Sequence, residues 1–422
     1  MERYAIVGFG TAGYHAAKAI RQRSADAHIH IFSDENTGPS NPMLTTYFVK
    51  DAIPYEAMFP YGTAEDICKK MKLIFHPNQP VVGMDGKNRK LFFADGSSDT
   101  FDKILISTGA AAIMPPLPGI DLPGVFKMRT VQDAVDLKNR LRTGKVCSAL
   151  VIGASWVGIK VIEDLISCNI SCTLVDGAER VFCAATFPET ARRIEKDLYA
   201  KGVVVSCGQM LTQIIQEPDG RLTAVMAGGD RFTADIIGVC IGVSMNVKFL
   251  QNSGLTMKRG IITDCYMRSN CENIYAAGDC CEVKDIQTDQ AKNIGLWANA
   301  IRQGTVAGVN MAGGCMEYGG SGVVNLAHYL NYDFVSIGDL NTCTLEDQIY
   351  EYEDCRYYIR ASRNAQQIHC INIIGDGGVH GIIKNVFVKS LECPCVQISL
   401  QMICALQSAG IPESFIHFLE GK

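Results

Sequence analysis

Apolar residues fall in short blocks bounded by turn formers, and the period of the pattern changes from block to block. Tyr4-Ala5-Ile6-Val7 is apolar throughout, as a strand covered on both faces must be. Gly8-Phe9-Gly10-Thr11-Ala12-Gly13 follows it, then a helical stretch from Tyr14 to Arg23, then a second strand, Ile29-His30-Ile31-Phe32. The same succession returns one domain's length later. Ala149-Leu150-Val151-Ile152 leads into Gly153-Ala154-Ser155-Trp156-Val157-Gly158, and that unit ends in Leu174-Val175-Asp176. Strand, glycine turn, helix and strand predict a βαβ unit and a parallel sheet in each place.

Between and after these units the pattern is less regular. Gly38-Pro39-Ser40-Asn41-Pro42-Met43-Leu44 is too rich in turn formers for regular structure. Residues 90–96 read as a hairpin arm, and 103–110 as a buried strand ending in a tight turn. Pro115-Pro116-Leu117-Pro118-Gly119 marks a boundary, followed by an amphipathic helix from Val131 to Leu141. Residues 203–205, 222–225 and 236–239 are expected to complete a smaller sheet. Asn273-Ile274-Tyr275-Ala276-Ala277-Gly278-Asp279 reads as a strand ending in Gly-Asp, and a helix from Gly295 to Met311 closes that part of the chain. Phe334-Val335-Ser336-Ile337 and Cys370-Ile371-Asn372-Ile373-Ile374 are strands of a third segment that ends in helices. The expected fold class is α/β, with two Rossmann-like domains and a C-terminal α+β domain. The first domain is discontinuous, 1–113 and 246–315; the second is 114–245 and the third 319–422. The first two read as a duplication of fold that the sequence itself no longer displays.

With 422 residues, 47% hydrophobic and 20% charged, the chain has room for two or three packed domains. A net charge of −5 argues against a basic nucleic-acid surface. No apolar run reaches the roughly 18–20 residues of a membrane span. The chain enters its first strand almost at once, leaving no room for a secretory leader, so a cytoplasmic protein is expected. Its 18 cysteines, such as Cys68, Cys147, Cys168, Cys172 and Cys240, read as free and mostly buried thiols in a reducing compartment.

The glycine turns carry the chemistry. Such a turn lets the backbone approach a pyrophosphate, and the helix N-terminus then faces its negative charge. Asp34-Glu35 and Asp176 each stand about 20 residues beyond a turn, where a ribose hydroxyl pair needs an acid. Two turns imply two dinucleotides, a resident flavin and a visiting nicotinamide, and hence a flavoprotein oxidoreductase.

Further segments stand in order around the second turn: Ser107-Thr108-Gly109-Ala110, Arg129-Thr130-Val131-Gln132-Asp133-Ala134, Ala276-Ala277-Gly278-Asp279 and Leu296-Trp297-Ala298-Asn299-Ala300. With these the chain resembles the FAD-dependent pyridine nucleotide–disulfide oxidoreductases, within them the NADH:rubredoxin reductase, ferredoxin reductase and NADH oxidase branch. The resemblance covers about residues 1–315 well and the remainder more loosely. It implies that Gly8, Gly10, Thr11, Ala12 and Gly13 hold the FAD pyrophosphate. Asp34 and Glu35 would lie at the adenosine ribose, and Pro80 or Val81 at the adenine. Thr108, Gly109 and Ala110 would line the cofactor's path, with Arg129, Gly278 and Asp279 at its phosphates and ribityl chain. Trp297 and Ala298 would reach the flavin ring, largely by main chain. In the second domain Gly153, Trp156, Val157 and Gly158 would take the NADH pyrophosphate, Asp176 the ribose and Gly242 the nicotinamide half. The third segment would be an interface domain, for a homodimer or for partner docking.

The departures from the family pattern are as informative. Residues 38–50 contain no cysteine, where the disulfide reductases carry a redox pair and the NADH oxidases and peroxidases a single redox cysteine. Electrons are therefore expected to leave the flavin directly, to a rubredoxin, a ferredoxin or a redox partner enzyme. The alternatives are an NADH oxidase or small-molecule reductase, and a non-catalytic FAD-binding subunit of a larger dehydrogenase. Many relatives place a lysine near the flavin, paired to a glutamate just past the second glycine turn; here the two places hold Thr46 and Lys160. Lys160 is thus the one candidate catalytic residue, tuning the flavin potential or steering the nicotinamide. Ser155 replaces the middle glycine of the second turn. Asp176 repels a 2′-phosphate and favours NADH, while nearby Arg180 leaves NADPH as the less favoured donor. No partner CxxC accompanies Cys393-Pro394-Cys395 among Cys343, Cys355, Cys370 and Cys404, so no metal is expected. None of His328, His369 and His380 is expected to be a catalytic acid.

Overall fold

The computed structural model describes residues 2–393 and 395–422. The chain divides into two compact units. The first comprises the chain up to Ile113, Arg129–Val135 and Val243–Ser321; the second comprises Met114–Met128, Asp136–Gly242 and Gly322–Lys422.

In the first unit, Ile274–Ala276, Lys103–Ile106, Arg3–Val7, His28–Phe32 and Ile74–His76 form a parallel sheet in that order. Its central strands are buried on both faces, which is why they read as unbroken apolar text. The helix Thr11–Arg23 begins at the turn itself, three residues earlier than its apolar pattern suggests, because Gly10 already has extended cap geometry. Ala12 and Ala16 on this helix face Gly304 and Gly308 on the helix Trp297–Met311. A Cβ added at those glycines would stand 2.2 Å from the Ala12 carbonyl and 2.4 Å from that of Ala16. Small residues let the two helix backbones meet, and the crossing sets the N-terminus of Trp297–Met311. Val81–Asp85, Lys90–Phe93 and Ser98–Thr100 make a separate antiparallel sheet. The turn-rich stretch after Gly38 does contain regular structure: a short 3-10 helix, Pro42–Leu44, runs directly into the helix Thr45–Val49. Asn41 makes this possible by accepting from the Met43 amide and capping the first turn.

The second unit repeats the parallel arrangement with Val204–Cys207, Ser171–Asp176, Ser148–Ile152, Ile236–Val239 and Val125–Phe126. Leu222–Met226 does not join this sheet as expected. It pairs antiparallel with Leu211–Gln216 through the tight Asp219-Gly220 turn and with Arg231–Ala234, forming a sheet of its own. The C-terminal part has five antiparallel strands in the order Val324–Tyr329, Tyr332–Gly338, Ile368–Gly375, Tyr358–Arg363 and Gln348–Glu353. Helices His380–Ser390, Leu400–Ser408 and Glu413–Glu420 bring Ile383, Phe387, Leu406, Phe415 and Leu419 into the core against that sheet. Among the described residues no helix is long and apolar enough to cross a membrane.

Candidate dinucleotide sites

The two glycine turns are built alike. Gly8 has φ +103°, and a Cβ there would lie 2.4 Å from the Ser107 carbonyl oxygen; Gly153 has φ +111°, and its Cβ would lie 2.2 Å from that of Cys240. At the far end of each turn, a Cβ on Gly13 would lie 2.3 Å from the Gly8 carbonyl, and one on Gly158 1.8 Å from that of Gly153. Each first glycine donates its amide to the neighbouring strand, Gly8 to Phe32 (2.8 Å) and Gly153 to Val175 (2.7 Å). Backbone crowding therefore demands glycine at both ends of both turns. Gly10, in the middle of the first, meets nothing within 4 Å, and Ser155 stands exposed at the equivalent place. Neither Gly10 nor Ser155 places a side-chain cap on the helix that follows. The first-turn amides are thus free of a side-chain acceptor at two helix N-termini beside open space, the donor set that a pyrophosphate fits.

Around the first turn, the flavin-side candidates are drawn together within one unit. Arg129 donates from Nη2 to Asp279 Oδ2 at 2.7 Å and from Nε to the Ala110 carbonyl at 3.0 Å. Asp133 caps this segment by accepting from the amides of Arg129 and Thr130. The Gly278 amide donates to Gln303 Oε1 (2.8 Å), and Asn293 donates to the carbonyls of Asp279 and Cys281. Thr108 donates to the Asn246 carbonyl (2.7 Å) and receives the Asn246 side-chain amide in return (3.0 Å). Gln303, Asn293 and Asn246 had no sequence signal. Each acts by holding a backbone group, and only the folded chain brings it near.

Asp34 and Glu35 reach the surface at the end of the second strand. Loss of water, and then Asp34 alongside, hold the Glu35 carboxyl above the ordinary range. Pro80 and Val81 are half-buried beside this stretch, because Gln79 donates its amide to the Ser33 carbonyl at 2.8 Å. Thr46 is buried in the helix Thr45–Val49. Trp297 stacks on Tyr61 (5.8 Å, 4°), which stacks on Tyr14 (4.2 Å). The indole therefore serves packing, and the exposed Ala298 lies at the uncapped helix start.

Around the second turn, Asp176 accepts from the amides of Ala154 and, at 2.7 Å, Ala178. The acid thereby ties the glycine turn to the loop that follows its own strand. Trp156 packs its ring on Phe182 (4.7 Å) and stacks on Phe334 (5.2 Å), leaving its backbone for a ligand, while Val157 is exposed. Gly242 adopts φ +114° just past the Ile236–Val239 strand. Arg180 is tied to its own loop, donating to the carbonyls of Thr186 and Cys183 and pairing with Glu179. Lys160 is held within the unit by Glu163 (2.6 Å) and the His328 carbonyl (2.7 Å). Burial pushes the Cys240 thiol up to about 12 and the Cys280 thiol up to about 11, so both stay protonated at neutral pH.

A family model described as pyridine nucleotide-disulphide oxidoreductase matches residues 2–304. The chain is 28% identical over 339 residues to the NADH-dependent phenylglyoxylate dehydrogenase subunit epsilon of Aromatoleum evansii, covering 80% of this chain and 79% of that one. It is 26% identical over 314 residues to the rubredoxin-NAD(+) reductase of Pseudomonas putida, covering 73% and 79%. The structure of the water-forming NADH oxidase from Lactobacillus brevis, bound to NADH, matches with a TM-score of 0.88 over 97% of this chain and 98% of that one. At 21% identity, that likeness speaks for the fold.

Proposed function

Because the chain belongs to the pyridine nucleotide-disulphide oxidoreductase family, we propose that it oxidises NADH through FAD and passes the electrons to a small redox protein or a redox partner enzyme. The observation that carries this reading is the doubled glycine turn, with the same two backbone clashes and an uncapped helix N-terminus in each copy. Bound FAD supplies the hydride acceptor and the electron donor; this chain's residues supply binding, orientation and charge.

In the first unit the amides of Gly10, Thr11, Ala12 and Gly13 and the Arg129 guanidinium offset the pyrophosphate charge, while Asp34 and Glu35 take the ribose hydroxyls. Asp279, fixed by Arg129, would hold the ribityl or pyrophosphate part of the cofactor with its carboxylate. Thr108, Gly109, Ala110 and Gly278 keep the path narrow. The uncapped start of the Trp297–Met311 helix would offer amides and a positive dipole end to the flavin ring, favouring its anionic reduced form. In the second unit Gly153, Trp156, Val157 and Gly158 hold the nicotinamide cofactor, with Asp176 selecting NADH over NADPH. Lys160 is assigned to steering the nicotinamide or tuning the flavin.

No thiol at residues 38–50, which lack cysteine, nor the buried and protonated Cys240 and Cys280, would relay electrons from a bound flavin. The rubredoxin-NAD(+) reductase relative supports a small carrier as acceptor, and the epsilon-subunit relative supports a partner enzyme. Steady-state NADH oxidation tests the acceptor. With added rubredoxin or ferredoxin, turnover should far outrun oxygen consumption; turnover that simply follows oxygen would make the chain an NADH oxidase.

A further inference from the structure

We propose that Cys343, Asp347 and His369 form a zinc site in the C-terminal part of the second unit. Their sulfur, oxygen and nitrogen donor atoms all lie within 4.8 Å of one another. They come from three different places in the fold: the turn after Leu340–Thr342, the approach to the edge strand Gln348–Glu353, and the central strand Ile368–Gly375. The fold thus converges three ligand types on one point without any short-range spacing, which is why no metal was expected from the sequence.

A strand irregularity aims the imidazole. Pairing steps from Ser362↔Cys370 to Arg363↔Ile368, so the Ile368–Gly375 strand carries one extra residue, His369, at this step. A bulge of this kind re-aims a side chain, here toward Asp347. The two are almost wholly withdrawn from solvent, His369 at 4% and Asp347 at 0% side-chain exposure, with Nδ1 and Oδ2 2.7 Å apart. The carboxylate is oriented by Thr344, through its amide (3.2 Å) and hydroxyl (2.7 Å), and by the Ser362 hydroxyl. Hydrogen-bonded outer partners of this sort fix a ligating carboxylate. Cys343, half-buried, completes the group.

The donor set selects the ion. A thiolate with an imidazole and one carboxylate suits zinc; magnesium and calcium require oxygen donors. Zinc–ligand bonds of about 2.0–2.3 Å put donor atoms roughly 3.3–3.8 Å apart in a tetrahedron. The Asp347–His369 pair must therefore open by about half an ångström, a change within reach of side-chain rotation, while the remaining separations lie within 4.8 Å. On binding, the Cys343 thiol gives its proton to solvent and His369 coordinates as neutral imidazole, its remaining proton on the other ring nitrogen. The ion would clip the 339–347 connection to the centre of the sheet.

The test is zinc binding by the FAD-loaded full chain, purified without a metal-affinity step and dialysed against zinc with a competing chelator. The wild-type chain should retain one tight equivalent, which Cys343→Ser and His369→Ala each lose while Cys393→Ser keeps it. Cobalt in place of zinc should give thiolate-to-metal and ligand-field bands that vanish in Cys343→Ser. Flavin content and circular dichroism establish that each variant is folded; should His369→Ala fail this check, the near-isosteric Cys343→Ser decides alone. No tight equivalent in the wild type, or one that survives Cys343→Ser, overturns the proposal.

Discussion

Arg129 Nη2 stands 2.7 Å from Asp279 Oδ2, joining two segments 150 residues apart. Because Nε of the same guanidinium holds the Ala110 carbonyl, one side chain fixes three of the flavin-side segments. Removing it leaves the partly buried Asp279 without its cation and frees the Ala110 carbonyl. A charge-assisted hydrogen bond contributes about 1.5–3 kcal/mol, so Arg129→Ala should weaken FAD binding by on the order of ten- to a hundredfold. Flavin released on dilution, followed by its fluorescence, reads this directly.

The glycines of the first turn should separate folding from binding. Gly8→Ala places a Cβ against the Ser107 carbonyl at a positive φ and should destabilise the first unit by about 1–3 kcal/mol, or more if the backbone cannot shift. At Gly10 a Cβ meets nothing within 4 Å, so Gly10→Val should fold yet retain little FAD. Thermal unfolding of the flavin-free chains, set beside flavin content after purification, distinguishes the two outcomes.

These turns were legible in the sequence because their cause is local: a positive φ and a carbonyl too close for any Cβ leave only glycine. The parallel sheets were legible because strands covered on both faces must be apolar throughout. What stayed hidden depends on long-range return of the chain. Nothing in the text around Asn246 announces its reciprocal clasp with Thr108, and Leu222–Met226 carries the same apolar signal whichever sheet it joins. The Cys343, Asp347 and His369 group was missed because a bulge, invisible in the residue pattern, turns His369 toward the other two.

Asp176 should govern the choice of nucleotide. Asp176→Ala removes an acid that would hold the ribose hydroxyls and repel a 2′-phosphate, and also cuts the turn loose from Ala178. The expected result is a KM for NADH raised by about tenfold or more, with a smaller preference for NADH over NADPH. Ratios of kcat/KM for the two donors measure it.

Lys160→Glu should slow flavin reduction by NADH, or shift the flavin potential, with FAD content unchanged. The substitution sets a carboxylate beside Glu163, where an ammonium now pairs with it at 2.6 Å. Stopped-flow reduction and potentiometry decide the matter; if neither moves, the assignment of Lys160 is wrong.

The first unit should lose stability in mild acid. Loss of water, then the neighbouring His76, lower His30 from 6.5 to about 4, and loss of water lowers His76 as well. Folding holds the His30 ring neutral down to about 4, and unfolding lets both rings take up protons at their ordinary value. The His30 contribution is thus complete above about 6.5 and is lost as pH falls from there toward about 4, with His76 acting in the same direction. His30→Gln should flatten the fall in apparent melting temperature over this range.

Two dinucleotide sites in one chain should carry hydride from NADH to FAD. An anaerobic titration of the purified holoenzyme with NADH, and separately with NADPH, followed by flavin absorbance, tests it most directly. NADH should bleach the flavin promptly and stoichiometrically, with NADPH far slower. A yellow protein that neither nucleotide bleaches would contradict it, and the second glycine turn would then no longer serve a nicotinamide.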